Sequence, residues 1–296
     1  MNSCCPGEVR RCRPLLGTFV EVTATGLSEE RLQRAVNAAF AVVERIQRLM
    51  SAHDPDSELS LLNREAARRP ITVSRETFAV LRRAGKLSAE SGGAFDCTIA
   101  PTLAGWGLLP ASLQRQERGG WRQVLLRRGG EVFFLQPLAL DLGGIAKGFA
   151  VDSAIEVLRY HGVVSAVVNA GGDLRVFGPQ AATVHLRHPA NPHRPAHRLE
   201  LSDAALATSS PCFTEREYHG RLDSQSKIQN PKSEICLVSH LVNPRDHSAI
   251  TGHISVTVRA RECWLADGLT KVVLNAPALA ERLLAKYEAE AFMLAA

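Results

Sequence analysis

The residues with most chemical potential lie in Leu140–Asp152, where Asp141, Gly143, Gly144 and Lys147 are closely spaced. A strand running into a paired-glycine turn, with Lys147 in the first turn of a following helix, makes an anion site. The free N–H groups, the helix dipole and the ammonium all favour phosphate there. The Walker spacing GxxxxGK[ST] and the dinucleotide spacing GxGxxG are both absent. Alone, such a turn is more often a plain bend with a surface lysine. A second glycine loop, Asn169 through Gly171 and Gly172 to Asp173, follows and shifts that balance. It lets backbone approach a ligand and leaves the Asp173 carboxylate beside it.

Three further segments add reactive groups. Ala94, Phe95 and Asp96 lie just past the paired glycines Gly92 and Gly93, where an aromatic and a carboxylate can form a pocket wall. Taken singly, they are an ordinary core phenylalanine and loop aspartate. His240 stands at a strand end and is a candidate general base if it faces a substrate. Asp267, Thr270 and Lys271 are spaced i, i+3, i+4 on one helix face. Oxygens so placed suit Mg²⁺ or Ca²⁺, although an i,i+4 ion pair explains the same residues.

The elements that must carry these groups follow from periodicity. Leu32, Val36, Phe40, Val43 and Ile46 predict a helix over 29–50, with Ser28 as N-cap. Further helices are expected over 57–67, from Ser74 to Ser91, and over 147–160, 266–275 and 278–289. Strands are expected at 18–24, 71–73, 138–142, 165–168, 184–186, 237–241 and 254–260. The irregular alternation gives an α+β class. The segment 185–198, rich in His, Pro and Arg, reads as an exposed loop, and 213–233 as a second surface excursion. Residues 1–14 read as a disordered N-terminal segment and 15–296 as one functional domain.

Composition limits the alternatives. The 296 residues are 45% hydrophobic, 22% charged and 5% aromatic, with a net charge of +5. That is ordinary for a folded chain, with too few aromatics for a single-strand stacking platform, so no nucleic-acid partner is expected. No apolar run is long enough for an integral membrane segment. The seven cysteines are scattered and do not suggest a disulfide framework. The first residues carry no apolar signal core, so a cytoplasmic location is expected, or a periplasmic one if the native start lies upstream.

In order along the chain, these segments resemble the FAD:protein FMN transferases, the ApbE-type flavin transferases. The likeness runs through Leu16-Gly17-Thr18, Met50-Ser51, Ser57 to Asn63, Gly92 to Asp96, Pro101, Trp106-Gly107 and Leu142 to Asp152. It continues through Asn169 to Asp173, Ala207 to Ser209, His240 to Pro244 and Ala266-Asp267. The resemblance implies two intimately packed αβ subdomains with a flavin cleft between them. It implies transfer of the FMN half of FAD to a Ser or Thr hydroxyl of a target flavoprotein, with AMP released. The target site would resemble Asp-x-x-Ser/Thr-Gly-Ala-Ser/Thr. FAD hydrolysis and non-catalytic FAD binding are the alternatives.

By matching position, Leu16, His53, Ala94, Phe95, Asp96, Asp141, Lys147, Asp173 and Leu241 would bind FAD, and His240 would act at the pyrophosphate. Gly144 through its carbonyl, Asp267 and Thr270 would hold Mg²⁺. Lys271 departs from the pattern: it falls where the family commonly has a metal-binding Thr, and a weakened Mg²⁺ site is the expectation. His53 stands where relatives often carry a Tyr that stacks on the isoalloxazine. Asn243, Asp246, His247, Ser210 and Cys212 also replace usual residues.

Overall fold

The computed structural model describes residues 7–117, 119–213, 216–219 and 235–296. The chain begins with β1 (Glu8–Leu15), β2 (Thr18–Thr25), α1 (Glu29–Met50), α2 (Glu58–Glu65), β3 (Ile71–Thr72), α3 (Arg75–Glu90) and α4 (Ala100–Gly105). It continues with β4 (Val124–Arg127), β5 (Glu131–Phe134), α5 (Ala146–Tyr160), β6 (Ser165–Ala170), β7 (Asp173–Phe177), β8 (Ala182–His188), β9 (Asn191–Leu201) and β10 (Ala205–Ser209). Last come β11 (Arg216–His219), β12 (Ile235–Val238), β13 (Ile254–Ala260), α6 (Cys263–Asn275), α7 (Pro277–Lys286) and β14 (Glu290–Ala295).

The main sheet has the order β1-β2-β6-β7-β10-β13-β14 and is antiparallel throughout. Alternation places it: β2 buries Val20, Val22 and Ala24 at every second residue. Helix α1 turns the stripe Leu32, Val36, Phe40, Val43 and Ile46 inward and packs against α5. A smaller sheet, β3-β5-β4, forms the second αβ part. One continuous core joins Val20 and Val22, Phe40, Leu87, Phe134 and Leu269, so the two parts are intimately packed, as the α+β reading expects.

The structure corrects the sequence reading in three places. Residues 8–14, expected to be disordered, form most of β1, paired along its length with β2 from Glu8↔Thr25 to Leu15↔Thr18. Its Arg-rich outer positions hid a strand whose backbone is satisfied by its neighbour. Second, 185–198 is no loop. It is the hairpin of β8 and β9, which buries Leu186 and Leu201 and packs Val184 and Leu199 partly inside. The period-two apolar residues outweigh the prolines, and Pro195 falls where the register shifts. Third, 138–142 is buried and irregular, not a strand. The Asn63 side chain clamps it instead: Nδ2 donates to the Leu140 carbonyl at 3.0 Å, and the Leu140 N–H donates to Oδ1 at 2.8 Å. The Asp141 N–H donates to the Cys97 carbonyl at 2.8 Å. The backbone groups of Leu140 and the Asp141 N–H are thus paired without a strand neighbour. Most of 213–233 lies outside the described residues.

Candidate functional site

A cleft of about 690 Å³ opens where the β1–β2 turn, the end of α1, the segment 94–99 and the start of α5 meet the ends of β10 and α6. That is in the size range of small-molecule sites. Its apolar lining includes Leu16, Ile46, Met50, Phe95, Leu103 and Val242, and its polar lining includes His53, Asp141, Lys147, His240 and Lys271. Of the residues expected at the site, Leu16, His53, Ala94, Phe95, Asp96, Asp141, Gly144, Lys147, His240 and Leu241 all line it. Asp173, Asp267 and Thr270 lie behind that lining, all buried.

The cationic wall is built from the inside out. Lys147, in the first turn of α5, meets the Asp173 carboxylate, and its Nζ stands 3.9 Å from Asp267 Oδ2. Lys271 Nζ meets Asp267 Oδ1 and donates to the Asp267 carbonyl at 3.1 Å. The carboxylate side chains are 3% and 1% exposed, while Lys147 and Lys271 are 34% and 17% exposed. The cleft therefore meets the lysine side chains before the carboxylates. Burial acts to lower the Lys147 pKa, but Asp173 and Asp267 together outweigh it and hold the pKa above its ordinary value. For Asp267 the two lysines outweigh burial, and its pKa is lowered. Asp173 is raised, by burial and then by the negative Asp267 nearby.

Local sequence explains how these groups are held. Asp173 follows a turn in which Gly171 has φ +67°, and a Cβ there would stand 2.5 Å from Thr18 Oγ1. Only glycine fits that crossing. Helices α5 and α6 touch at Gly148, where a Cβ would meet the Cys263 carbonyl oxygen at 2.4 Å. The Gly148 N–H donates to Asp267 Oδ2 at 3.3 Å. From α5, Asp152 accepts the N–H groups of Cys263 and Trp264, both at 2.9 Å, and pairs with Arg175 at 2.8 Å. A carboxylate from one helix thus caps the next and fixes where Asp267 and Lys271 project.

Opposite lies Asp141, folded over Gly143, whose N–H it accepts. Burial raises the Asp141 pKa, and His240, His53 and Lys271 pull against that rise, which places those three side chains around one carboxyl. His240 is exposed on the cleft. Asp96 is mainly a structural anchor: Oδ1 accepts from the Thr98 N–H and hydroxyl at 2.9 Å, and Oδ2 from the Trp121 N–H at 3.1 Å. Its pKa is raised, chiefly by burial. Leu16 sits at φ +57° beside Gly17 at +70° in the two-residue β1–β2 turn. Both angles match the type I′ turn, which ordinarily selects Asn-Gly. Its N–H donates to Gln47 Oε1 at 2.5 Å.

Gln47, Ser209, Ser210 and Asn275 also line the cleft and were not among the expected binding residues. Asn275 Nδ2 donates to the Ala94 and Val242 carbonyls at 3.0 and 3.3 Å, while its buried Oδ1 has no partner. Nothing in its sequence surroundings marks it; only the folding of α6 onto 94 and 242 does.

An apolar wall beside two supported ammonium groups and a histidine can hold an aromatic body joined to phosphates. The family model described as "ApbE family" matches residues 16–293. This chain belongs to the ApbE family. Among the family's curated members, a Treponema pallidum FAD:protein FMN transferase is 28% identical over 251 residues, spanning 73% of this chain and 69% of that protein. One from Vibrio cholerae is 27% identical, spanning 88% and 79%. The solved ApbE protein of Thermotoga maritima superposes with a TM-score of 0.80 at 21% identity, covering 97% of this chain and 94% of that one. The flavin transferase ApbE from Vibrio cholerae gives 0.77 at 23% identity, covering 98% and 94%. These superpositions establish the ApbE fold for the chain.

Two of the groups expected to hold Mg²⁺, Asp267 and Thr270, are engaged by other groups here. Asp267 has Lys271 on Oδ1, and Gly148 and Lys147 at Oδ2. Thr270 is fully buried, with Oγ1 donating to the Asp267 carbonyl at 2.6 Å and lying 2.7 Å from Ser209 Oγ. With its proton so used, it accepts from Ser209 and offers no oxygen to the cleft. Beside Gly144 runs the Lys271 stem: a Cβ on Gly144 would stand 3.4 Å from Lys271 Cε. Among the described residues no group of three or more His, Cys, Asp or Glu is arranged for a metal. Mg²⁺ coordination demands oxygen donors in near-octahedral order, and an ammonium is not one.

Proposed function

We propose that the chain is an FAD:protein FMN transferase that binds FAD in this cleft and moves its FMN half to a Ser or Thr hydroxyl of a target flavoprotein. The observation that carries this reading is the joining, in an ApbE-family chain, of an apolar wall to the Lys147–Asp173 and Lys271–Asp267 pairs. The names of the curated relatives support it. The residues at the cleft have parts that follow from their chemistry. Leu16, Phe95 and His53 would hold the ring system, and Lys147 and Lys271 the phosphates. Asp173 and Asp267 position those ammonium groups.

In the step itself, the acceptor oxygen bonds to the phosphorus of the FMN half. The bond from that phosphorus to the bridging oxygen breaks, and its electron pair leaves on AMP. The hydroxyl proton passes to His240, the exposed imidazole on the cleft. Phosphoryl transfer of this kind depends on positioning and charge neutralisation more than on covalent help. Mg²⁺ has no step in this reading, because Asp267 and Thr270 are engaged elsewhere. For the acceptor we propose the Asp-x-x-Ser/Thr-Gly-Ala-Ser/Thr pattern, supported by the resemblance of the site motifs alone.

The test is to incubate the protein with FAD and a peptide bearing that pattern. Flavin fluorescence migrating with the peptide, with AMP released one-to-one, is the expected result. Free FMN with AMP would make the protein an FAD hydrolase, and unchanged FAD would make it a binding protein.

A further inference from the structure

We propose that Lys271 is the resident cation of the transfer site, and that the protein neutralises the FAD phosphates with this ammonium and works without a bound divalent metal. The inference rests on the reading of the cleft as an FAD site. Three observations carry it.

The first is position. The Lys271 side chain leaves α6, passes beside Gly144 and Phe95, and ends on both the carboxylate and the carbonyl of Asp267. Those are the groups between which the metal was expected, so the ammonium occupies the place where a cation would act. The second is charge. Lys147 and Lys271 face the buried carboxylates Asp173 and Asp267, giving two positive and two negative charges. Such a cluster balances itself. A divalent ion entering it would meet two ammonium groups at close range, with the Asp141 carboxyl also near Lys271. With a neutral residue at 271, the same cluster would carry one net negative charge and leave Asp267 Oδ1 open. The third is direction. The carboxylates are almost wholly covered, while both lysines retain exposure to the cleft. The lysine side chains, and not the carboxylates behind them, line the cleft, which is the arrangement that charge stabilisation of a departing phosphate needs. A lysine is a compact point charge with three donors, and with two of them on Asp267 one remains for a phosphate oxygen.

The step balances as described above: oxygen–phosphorus bond formed, phosphorus–oxygen bond broken, electron pair to AMP, proton to His240. Lys271 exchanges no proton in it.

The experiment uses the full chain dialysed against EDTA. Flavin fluorescence reports FAD binding, Mn²⁺ electron paramagnetic resonance reports metal binding, and peptide flavinylation reports turnover in EDTA or in Mg²⁺. For the wild type, FAD binds in EDTA, Mn²⁺ does not bind stoichiometrically, and turnover is the same in both buffers. Lys271→Thr should gain Mn²⁺ binding, lose turnover in EDTA by about 10²–10³-fold, and recover with Mg²⁺. Stoichiometric Mn²⁺ on the wild type, FAD binding only with metal, or loss of wild-type turnover in EDTA would each overturn the proposal while leaving the FAD site standing. A wild type that binds no FAD in either buffer would overturn the site reading, and this inference with it. The wild-type measurements decide the matter even if the variant does not fold.

Discussion

Asp152→Ala should unfold the site from behind. The carboxylate is 10% exposed and receives one charged donor, Arg175 Nη1 at 2.8 Å, and two N–H groups from the start of α6 at 2.9 Å. Truncation leaves the Arg175 guanidinium, itself 9% exposed, without its buried counter-charge. Breaking a buried pair from one side costs about 3–5 kcal/mol. The two orphaned N–H groups would add about 1–3 kcal/mol each if water could not reach them, but these costs overlap and are not summed. A loss of about 3–5 kcal/mol is therefore expected, a fall in Tm on the order of 10 °C for a chain of this size. The pair's net worth is much smaller than that. Burial is the leading influence on Asp152 and raises its pKa, so desolvation offsets much of what Arg175 and the N–H groups contribute. Replacing both charges, Asp152→Leu with Arg175→Leu, should then recover the part of the loss that comes from the unpaired guanidinium, the two N–H groups staying without an acceptor. Urea unfolding followed by circular dichroism, with m held constant, measures both. FAD affinity of the single variant should fall as well, because α6 carries Asp267 and Lys271. A single-variant loss below about 1 kcal/mol, or a double variant as unstable as the single one, would refute the reasoning.

Four other outcomes follow from the same geometry. His240→Ala should cut flavinylation by about 10²–10⁴-fold with FAD affinity changed only a few-fold; full activity would make His240 structural. Leu16→Gly should stabilise the β1–β2 turn by about 1 kcal/mol, since leucine at φ +57° is strained, while FAD affinity falls with the lost apolar wall. Calorimetry showing destabilisation would remove the strain argument. Gly148→Ala pushes a methyl to 2.4 Å from the Cys263 carbonyl and should destabilise the protein by about 1–3 kcal/mol through separation of α5 and α6; an unchanged Tm would contradict it. The raised Lys147 pKa fixes a pH window. A raised lysine contributes stability that is fully present below its unfolded value, about 10.4, and is lost only as pH rises through the higher folded value. FAD affinity should therefore hold from neutral pH to about pH 10, and a fall centred near about pH 8 would exclude Lys147 from the phosphate contacts.

Periodicity and punctuation in the sequence determined most of the elements. The helix at 29–50 is legible because a one-sided apolar stripe over six turns has no other solution, and β2 because alternation and β-branching agree. The glycine loop before Asp173 is equally local, since the positive φ at Gly171 and Gly172 and the close crossing at Gly171 demand glycine wherever the chain ends up. What needed the tertiary structure is what depends on partners distant in sequence. Residues 8–14 are a strand only because β2 is there to pair with them, and 138–142 is not one because Asn63 and Cys97 satisfy its backbone first. Asp152 looks like any helix-surface acid until Arg175 and the start of α6 close over it. The same holds for the cation. Spacing put Asp267, Thr270 and Lys271 on one helix face, but an i,i+4 pattern is equally an ion pair and a half-built metal site. The fold places Ser209 against Thr270, Gly148 and Lys147 against Asp267, and the Lys271 stem against Gly144, so that the ion pair is the arrangement seen.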